Sequence, residues 1–376
     1  MKRPIPKYHI LLAIDSLIDR GSEKVTIDLG EKFLELGHKV SIIIYEDIVK
    51  FNVDKRIKIY KLDPVKHNYP RIFSRLTDNE NARLFKKILN SIEVEQGYVN
   101  LILSALPRMD RILSLIKDNR IYHVMHSPLS IQSGIQDNKW HKKISRIWHM
   151  KRIYDKRQII AVSDGVKDDL IKHVKVRPSF ITTIYNPFHF DKLKKLATQP
   201  LKTKIGLLSK SYIIHVGTFT LRVKRQDLLI KAFALSKLKC KLVLLGKGKD
   251  EKEIRALIKK YSLNNRVIIA GFHTNPYPWI KHARLLVVTS RYEGFGNVLV
   301  EAMSLGTPAL STNCGGPSEI LIDDMQDCLM LNGSARALAK KMYSFYSKPP
   351  QINRNSLDRF EASHIAQEYL KLISHN

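Results

Sequence analysis

The sequence has few cysteines and no long apolar run. Its three cysteines, Cys240, Cys314 and Cys328, are too few and too scattered for a disulfide framework, and no pair has the spacing of zinc ligands. This usage predicts a reducing compartment such as the cytosol. No apolar stretch is long enough to cross a bilayer, and the run ILLAI near the start is too short for a signal peptide, so we expect any membrane contact to be peripheral.

Acidic residues are also scarce. The chain has 35 Asp and Glu against 64 Lys and Arg, which gives a net charge of +29. So basic a chain is expected to associate with a polyanion, either nucleic acid or an anionic membrane. A hydrophobic fraction of 44% excludes a disordered or low-complexity chain, and 376 residues predict two or three domains.

Short apolar runs alternate with segments of helical periodicity, which predicts an α/β fold with doubly wound parallel sheets. The pattern weakens between residues 188 and 210 and then restarts. We therefore predict two Rossmann-like domains, 1–195 and 205–350, that face each other across a cleft, with a C-terminal helix at about 356–376 packed back onto the first domain. Because open sheets bind ligands at the carboxyl ends of their strands, we expect the active site in that cleft.

The predicted strands are short apolar runs bounded by charged or turn residues. They are 8–14, 40–45, 99–104, 121–125, 158–162 and 181–184 in the first domain, and 212–216, 241–245, 267–270, 285–289 and 307–311 in the second.

The densest candidate for chemistry is SRYEGFGNVLVE, residues 290–301, which follows the predicted strand LLVVT. A strand that runs through Glu-Gly-x-Gly into a helix presents backbone N–H groups and a helix N-terminus to an anion such as phosphate. Glu293 precedes this turn and Glu301 follows about two helical turns later, so both carboxylates can accept bonds from sugar or ribose hydroxyls. The alternative is an ordinary strand-to-helix turn with two surface glutamates.

With its flanking residues, this stretch resembles the retaining nucleotide-sugar glycosyltransferases of family four, which have the GT-B fold. Their signature is a glutamate pair separated by seven residues, as Glu293 and Glu301 are. Further similar segments lie in both predicted domains. They are RGSEKVTIDL (20–29), SDGV (163–166), YNPF (185–188), VGTFTLRVKRQDLLIKAF (216–233) and GFHTNP (271–276).

The resemblance implies a donor site in the second domain. It implies that Glu293 contacts the sugar hydroxyls, that Lys224 neutralises the diphosphate leaving group, and that Glu301 holds the ribose. The remaining implied donor-binding residues of this domain are Thr218, Arg222, Arg225, Phe272, Asn275, Gly294, Phe295, Gly296 and Asn297. Thr218 stands where the family usually has arginine, and we expect Arg222 or Arg225 to supply the missing cation, because the charge of the leaving group still needs neutralising.

In the first domain, Gly21 and Ser22 match the glycine-rich loop that faces the diphosphate, although Ser22 replaces a usual glycine. His126 matches the histidine beside the donor sugar and, with Glu293 and Lys224, is assigned as catalytic. Taken alone, a histidine at the end of a strand is as typical of a hydrogen-bonded, partly buried side chain as of a catalytic one.

No Asp-x-Asp motif occurs in the sequence. Metal-dependent sugar transfer usually needs such a carboxylate pair to hold a divalent ion on the diphosphate. We therefore predict a metal-independent hexosyltransferase with no cofactor, for which a nucleotide sugar, expected to be a UDP-sugar, is the co-substrate. The resemblance implies retention of configuration by same-face attack, with the departing phosphate oxygen accepting the proton of the acceptor.

The segment Lys139–Arg157 carries eight Lys and Arg against one Asp. Its apolar residues fall near one side of a helix, a pattern typical of contact with anionic lipid. The predicted membrane and acceptor residues are Trp140, Lys142, Lys143, Trp148, Lys151 and Arg152. The alternative is a solvated basic face on a helix that packs on the sheet. The two interpretations are compatible if the core takes Ile144 and Ile147.

Family members with this charge profile often act on lipid-linked acceptors, so we predict a peripheral enzyme on the cytoplasmic face of the bacterial inner membrane. The preferred acceptor is lipopolysaccharide or lipooligosaccharide core. The alternatives are an undecaprenyl-diphosphate-linked oligosaccharide, capsule or O-antigen. We infer no obligate protein partner.

Two other classes of protein are less consistent with the sequence. A nucleic-acid-binding protein would explain the charge, but the basic residues are not interleaved with aromatics as a stacking platform, and no recognised motif occurs. A nucleotide-sugar epimerase would need an acid/base pair at the sugar ring, which we do not identify.

Overall fold

The computed structural model describes residues 7–18, 21–64, 74–135, 140–201, 210–331 and 333–375. The chain forms two compact units, with boundaries between Pro187 and Phe188 and between Arg359 and Phe360. The segment 188–196 therefore belongs to the second unit, whereas the sequence pattern places most of it in the first. The predicted connection between the domains overlaps residues 202–209, which lie outside the described residues.

Among the described residues of the first unit, seven parallel strands form one sheet in the order β3-β2-β1-β4-β5-β6-β7. They are β1 (His9–Ile14), β2 (Lys39–Ile44), β3 (Lys58–Lys61), β4 (Leu101–Ala105), β5 (Ile121–Met125), β6 (Gln158–Ala161) and β7 (Phe180–Thr183). The interior strand β1 is fully buried, because a strand inside a parallel sheet is covered on both faces.

The helices of the first unit alternate with these strands. They are α1 (Gly21–Glu35), α2 (Ser74–Gln96), α3 (Pro107–Leu113), α4 (Leu129–Gln132), α5 (Trp140–Tyr154) and α6 (Asp164–Asp168), with α14 (Ala362–Lys371) from the end of the chain. Helix α14 packs on α1, where the rings of Phe33 and Tyr369 meet edge to face with centroids 6.4 Å apart. The C-terminal helix therefore contributes to the core of the first unit.

In the described part of the second unit, six parallel strands are ordered β10-β9-β8-β11-β12-β13. The strands are β8 (Tyr212–Val216), β9 (Lys241–Leu245), β10 (Val267–Gly271), β11 (Leu285–Val288), β12 (Ala309–Thr312) and β13 (Leu329–Met330). The helices are α7 (Phe190–Leu196), α8 (Gln226–Leu235), α9 (Glu251–Lys260), α10 (Tyr277–His282), α11 (Asn297–Ser304), α12 (Pro317–Ile320) and α13 (Ala335–Ser347).

The two sheets confirm the predicted α/β class, with one doubly wound Rossmann-like sheet in each unit. The sequence pattern does not predict the edge strands β3 and β13. Strand β3 reads KIYK and is half-exposed, and β13 has only two residues, so neither produces the apolar run by which the other strands are found.

In the second unit the strand order reverses between β8 and β11, which are neighbours in the sheet although β9 and β10 lie between them in sequence. The loops that leave the carboxyl ends of β8 and β11 therefore start side by side. Open α/β sheets bind ligands at such a switch point, and both loops contain predicted site residues.

Gly246, directly after β9, lets the neighbouring loop pass close to the sheet. A Cβ at this position would lie 2.0 Å from the carbonyl oxygen of Gly217, and the φ angle is +151°. Gly217, the first residue after β8, donates its N–H to the carbonyl of Leu245 at 3.0 Å. The backbone of the loop after β8 is thus fixed by a close approach that only glycine permits.

We expect Gly246→Ala to lower the free energy of unfolding by about 2 kcal/mol or more, because the backbone must move to admit the methyl group. Chemical denaturation of the purified chain measures this. Gly333→Ala is the control: a Cβ there meets no atom within 4 Å, so its effect should stay within about 0.5 kcal/mol. Equal stability of the two variants would show that the loop adapts freely.

Candidate active site

Lys224 and Glu293 form the centre of the site in the second unit. Lys224 lies in the loop between β8 and α8, and Glu293 in the loop between β11 and α11. The Nζ atom of Lys224 donates to Oε1 of Glu293 at 2.6 Å, and the two side chains are 23% and 14% exposed. The structure therefore brings two of the predicted catalytic residues together as a largely buried ion pair.

Ser290 contacts the same carboxylate oxygen. Its hydroxyl donates to Oε1 of Glu293 at 2.6 Å, and the residue is 2% exposed. Among the described residues, Oε2 of Glu293 has no hydrogen-bond partner. One carboxylate oxygen is thus occupied by two donors, and the other is left as an acceptor for a ligand hydroxyl. Sequence reasoning did not assign Ser290 a role.

The backbone around Glu293 is held by the loop that follows β12. The N–H of Glu293 donates to the carbonyl of Cys314 at 2.9 Å, and Glu293 and Gly315 form a parallel bridge. Gly296 then adopts a left-handed conformation, with φ 105°, as the N-cap of α11. Because glycine offers no capping side chain, the N-terminus of α11 is not capped by its own N-cap residue, which suits an anion.

Glu301 lies on α11 and is 9% exposed. Its Oε1 accepts a hydrogen bond at 3.1 Å from the hydroxyl of Tyr277, which is itself buried on α10. Tyr277 is a residue that sequence reasoning missed. Its position beside the GFHTNP segment was the available signal, but nothing in the local pattern separates it from an ordinary core tyrosine.

Phe272 and Asn275 have different environments. Phe272 is 40% exposed, and the Nζ atom of Lys247 lies 4.5 Å from its ring centroid, within range of a cation–π contact. The amide of Asn275 donates to the carbonyl of Leu196 and to Oε1 of Gln199, both at 2.9 Å. The Asn275 side chain therefore links the end of α7 to the loop after β10. Any contact of this loop with the nucleotide base would then be made by its backbone.

The two candidates for the second cation also differ. Arg225 is the left-handed N-cap of α8, and its guanidinium lies 3.8 Å from Oδ2 of Asp227. Arg222 is exposed, and its charge opposes the rise in the pKa of Tyr292 that burial causes. Thr218 is exposed, and its carbonyl accepts from the Gln226 amide at 3.0 Å.

Two family profiles match most of the sequence between them. Glycosyltransferase Family 4 matches residues 20–192, and Glycosyl transferases group 1 matches residues 200–361. This chain is a family-four glycosyltransferase. Its GT-B fold is supported by the solved structure of Anabaena HepE in complex with UDP, which superposes with a TM-score of 0.74 at 20% identity and covers 98% of this chain and 100% of HepE.

Two relatives of the glycosyltransferase carry a diphospho-undecaprenol or a lipopolysaccharide substrate in their names. The N-acetylgalactosamine-N,N'-diacetylbacillosaminyl-diphospho-undecaprenol 4-alpha-N-acetylgalactosaminyltransferase of Campylobacter jejuni is 24% identical over 95% of this chain and 98% of its own length. The lipopolysaccharide 1,6-galactosyltransferase of Escherichia coli is 26% identical over 57% of this chain and 60% of its own length.

The predicted glycine-rich loop of the glycosyltransferase is not a loop at Gly21 and Ser22. Both residues belong to the first turn of α1, which begins at Gly21. The Ser22 hydroxyl donates to Oε2 of Glu23 at 2.6 Å, and Glu23 is fully buried. Ser22 and the buried Glu23 are thus part of the N-terminal turn of the helix. The implied contact of Gly21 and Ser22 with the diphosphate stays a prediction.

His126 follows β5 directly and is held in a neutral form. Burial lowers the pKa of His126 to about 4, so the ring carries no charge near neutral pH. Its Nε2 atom is shielded from solvent and lacks a hydrogen-bond partner within the described part of the chain. His126 is therefore not a cation in the free enzyme, and its implied place beside the donor sugar stays a prediction.

Helix α5 contains the basic segment of the glycosyltransferase. The predicted start, Lys139, and the side chain of Trp140 lie outside what the structure describes. Ile144 is 47% exposed, so it does not meet the condition under which the lipid-facing and sheet-packing interpretations are compatible. The buried residues of α5 are instead Ile153 and Tyr154 near its end, at 6% and 1% exposure, because they face the sheet where α5 approaches it.

The exposed face of α5 combines cations with an aromatic side chain. Trp148 is 73% exposed. Lys142, Lys143 and Arg152 are exposed and have no acceptor within the described residues, whereas Lys151 donates to the carbonyl of Lys175 at 2.8 Å. None of the described helices is both long and apolar enough to span a membrane.

His215 on β8 makes stability depend on pH. Its Nδ1 is bonded to the carbonyl of Val287 at 2.9 Å, and burial lowers its pKa from 6.5 to about 4. Between pH 6.5 and pH 4 the unfolded chain binds a proton at His215 that the folded chain does not. The stabilising contribution of neutral His215 is therefore present above pH 6.5 and is lost as the pH falls towards 4.

We expect the free energy of unfolding to fall by about 2 kcal/mol from this group between pH 7 and pH 5. His215→Asn keeps a donor for the Val287 carbonyl and removes the titrating group, so its stability should decline less over the same range. Denaturant titrations of both proteins at pH 7 and pH 5 measure how much unfolding free energy each one loses. Parallel pH dependence in wild type and variant would contradict the assignment.

Proposed function

We propose that the enzyme transfers a hexosyl unit from a UDP-sugar to an anionic, lipid-linked glycan, with retention of configuration and without a metal ion. The observation that carries the proposal is the Glu293 carboxylate, which is fixed through Oε1 by Lys224 and Ser290 and presents Oε2 to a ligand. A fixed carboxylate of this kind can accept hydrogen bonds from a pair of sugar hydroxyls. UDP as the nucleotide is supported by the HepE structure, which is a complex with UDP.

The diphosphate of the donor needs positive charge close to the sugar. Lys224 supplies a cation beside Glu293, and the N-terminus of α11 supplies backbone N–H groups one turn away. Arg222 adds a second cation at the same loop. Because these groups can stabilise the negative charge that develops on the leaving phosphate, transfer does not require a divalent ion.

The remaining donor contacts follow from the positions of Glu301 and Phe272. We propose that Glu301, whose carboxylate accepts a hydrogen bond from Tyr277, accepts from the ribose hydroxyls. The exposed ring of Phe272 and the backbone that follows it are available to the base. Within the part of the chain that the structure describes we identify no carboxylate as a covalent nucleophile, so we propose that the acceptor attacks from the same face and that its proton passes to the departing phosphate oxygen.

The acceptor is proposed from the relatives and from charge. The Campylobacter transferase named for a diphospho-undecaprenol acceptor aligns with nearly the whole chain, whereas the lipopolysaccharide relative aligns with 57% of it. We therefore place a polyprenyl-diphosphate-linked oligosaccharide ahead of the lipopolysaccharide core preferred from the sequence. Both are anionic, which suits a chain with a net charge of +29.

Replacing Glu293 tests the donor site. Glu293→Gln removes the charge that pairs with Lys224 and weakens the acceptor for sugar hydroxyls, so turnover should fall at least about a hundredfold. The assay is UDP release from a panel of nucleotide sugars, with and without undecaprenyl-diphosphate and lipopolysaccharide-core glycans. Glu251→Gln is the matched control: this glutamate pairs with Arg255 on the surface of α9, and its variant should behave as wild type. Undiminished turnover by Glu293→Gln would refute the site.

Reversing the charge of α5 tests peripheral binding at the cytoplasmic face of the inner membrane. Each cation near an anionic surface contributes about 1 kcal/mol, so changing Lys142, Lys143 and Arg152 to Glu should weaken binding to phosphatidylglycerol vesicles at least about a hundredfold. The control changes Lys252, Lys259 and Lys260, exposed on α9, to Glu and has the same net charge. If both triple variants lose affinity equally in vesicle sedimentation, the membrane contact is not at α5.

A further inference from the structure

We infer that Ser290 is a positioning residue that holds the Glu293 carboxylate in its ligand-accepting orientation, an inference that rests on the proposed donor site. The Ser290 hydroxyl and the Lys224 ammonium both donate to Oε1 of Glu293, each at 2.6 Å. With Oε1 saturated in this way, Oε2 is the oxygen that meets the donor sugar.

The two donors to Oε1 differ in how firmly they are held. Ser290 is 2% exposed, lies two residues beyond the end of β11, and accepts at its carbonyl a hydrogen bond from the Thr312 hydroxyl at 2.7 Å. Lys224 reaches Oε1 through a four-carbon side chain that is 23% exposed. A short, buried serine has little freedom to move, whereas the lysine stem can swing.

This difference matters when a donor binds. The diphosphate carries more charge than one carboxylate, so it attracts the Lys224 ammonium and competes with Glu293 for it. A carboxylate bonded to lysine alone would then be free to rotate. The bond from Ser290 does not depend on the position of the cation and keeps Oε2 directed towards the sugar while Lys224 turns to the leaving group.

Thr289, the residue before Ser290, fixes the backbone of Lys224. The Thr289 hydroxyl, fully buried, lies 2.8 Å from the carbonyl of Lys224 and 3.0 Å from that of Arg225. Two consecutive hydroxyl side chains at the end of β11 therefore hold the backbone of Lys224 and the side chain of Glu293. This arrangement lets the lysine side chain move while its attachment point stays in place.

Removal of the hydroxyl should affect the sugar and not the nucleotide. In Ser290→Ala we expect kcat for hydrolysis or transfer of the nucleotide sugar to fall about tenfold, since a hydrogen bond to a charged group is lost. The dissociation constant for UDP should stay within about twofold of wild type. Ser290→Thr keeps the hydroxyl and should recover most of the turnover.

The control is Ser236→Ala. Ser236 is a buried serine of the same unit whose hydroxyl donates to the carbonyl of Phe233 at 2.8 Å and accepts from the N–H of Leu238 at 3.4 Å, so its variant loses buried hydrogen bonds away from Glu293. It should keep wild-type turnover. Thermal unfolding of all three variants shows whether the changes in kcat follow stability.

A double-mutant cycle decides whether Ser290 acts through Glu293. If it does, adding Ser290→Ala to Glu293→Gln should change turnover by less than about twofold. A further tenfold loss in that background, a parallel loss of UDP affinity in Ser290→Ala, or wild-type turnover of Ser290→Ala would each overturn the inference. If the wild-type enzyme turns over no nucleotide sugar, the proposed function itself fails and the inference fails with it.

Discussion

The ion pair between Lys224 and Glu293 is the constraint on which the second unit depends. Both side chains are largely shielded from water, and a shielded charge is costly unless a partner and further hydrogen bonds compensate it. The sheet meets this requirement by placing β8 and β11 side by side, so that the loops carrying the two charges begin at neighbouring strand ends. Gly246, Thr289 and Ser290 then fix the positions from which these side chains reach each other.

The sequence predicts the centre of this site because the chemistry is confined to short motifs. Glu293, Glu301 and Lys224 are identified by the resemblance of the glutamate pair and the KRQDLL segment to the family's motifs, and in the structure Lys224 and Glu293 are in contact. Ser290 and Tyr277 are different. A serine at a strand end and a tyrosine in a short helix are common in any α/β protein, and only their distances from the carboxylates give them a role.

Errors in the first unit have a similar origin. Helical periodicity locates α5 and shows that it is amphipathic, but it does not show how far along its length the helix stays in contact with the sheet. Ile144 is therefore exposed, while Ile153 and Tyr154 are buried. Likewise, Gly21 and Ser22 match a loop motif in sequence, but the helix formed by the residues after them extends to include both.

Tyr154 gives α5 a fixed direction. Its hydroxyl donates to Oδ2 of Asp110 at 3.0 Å, and the other oxygen of that buried carboxylate is bonded to Ser104 and His123 on strands β4 and β5. The helix that exposes Trp148 is thus anchored at one end to the centre of a rigid sheet. A flat surface that captures the tryptophan would therefore set the tilt of the whole first unit, because the helix cannot pivot without breaking a buried hydrogen bond.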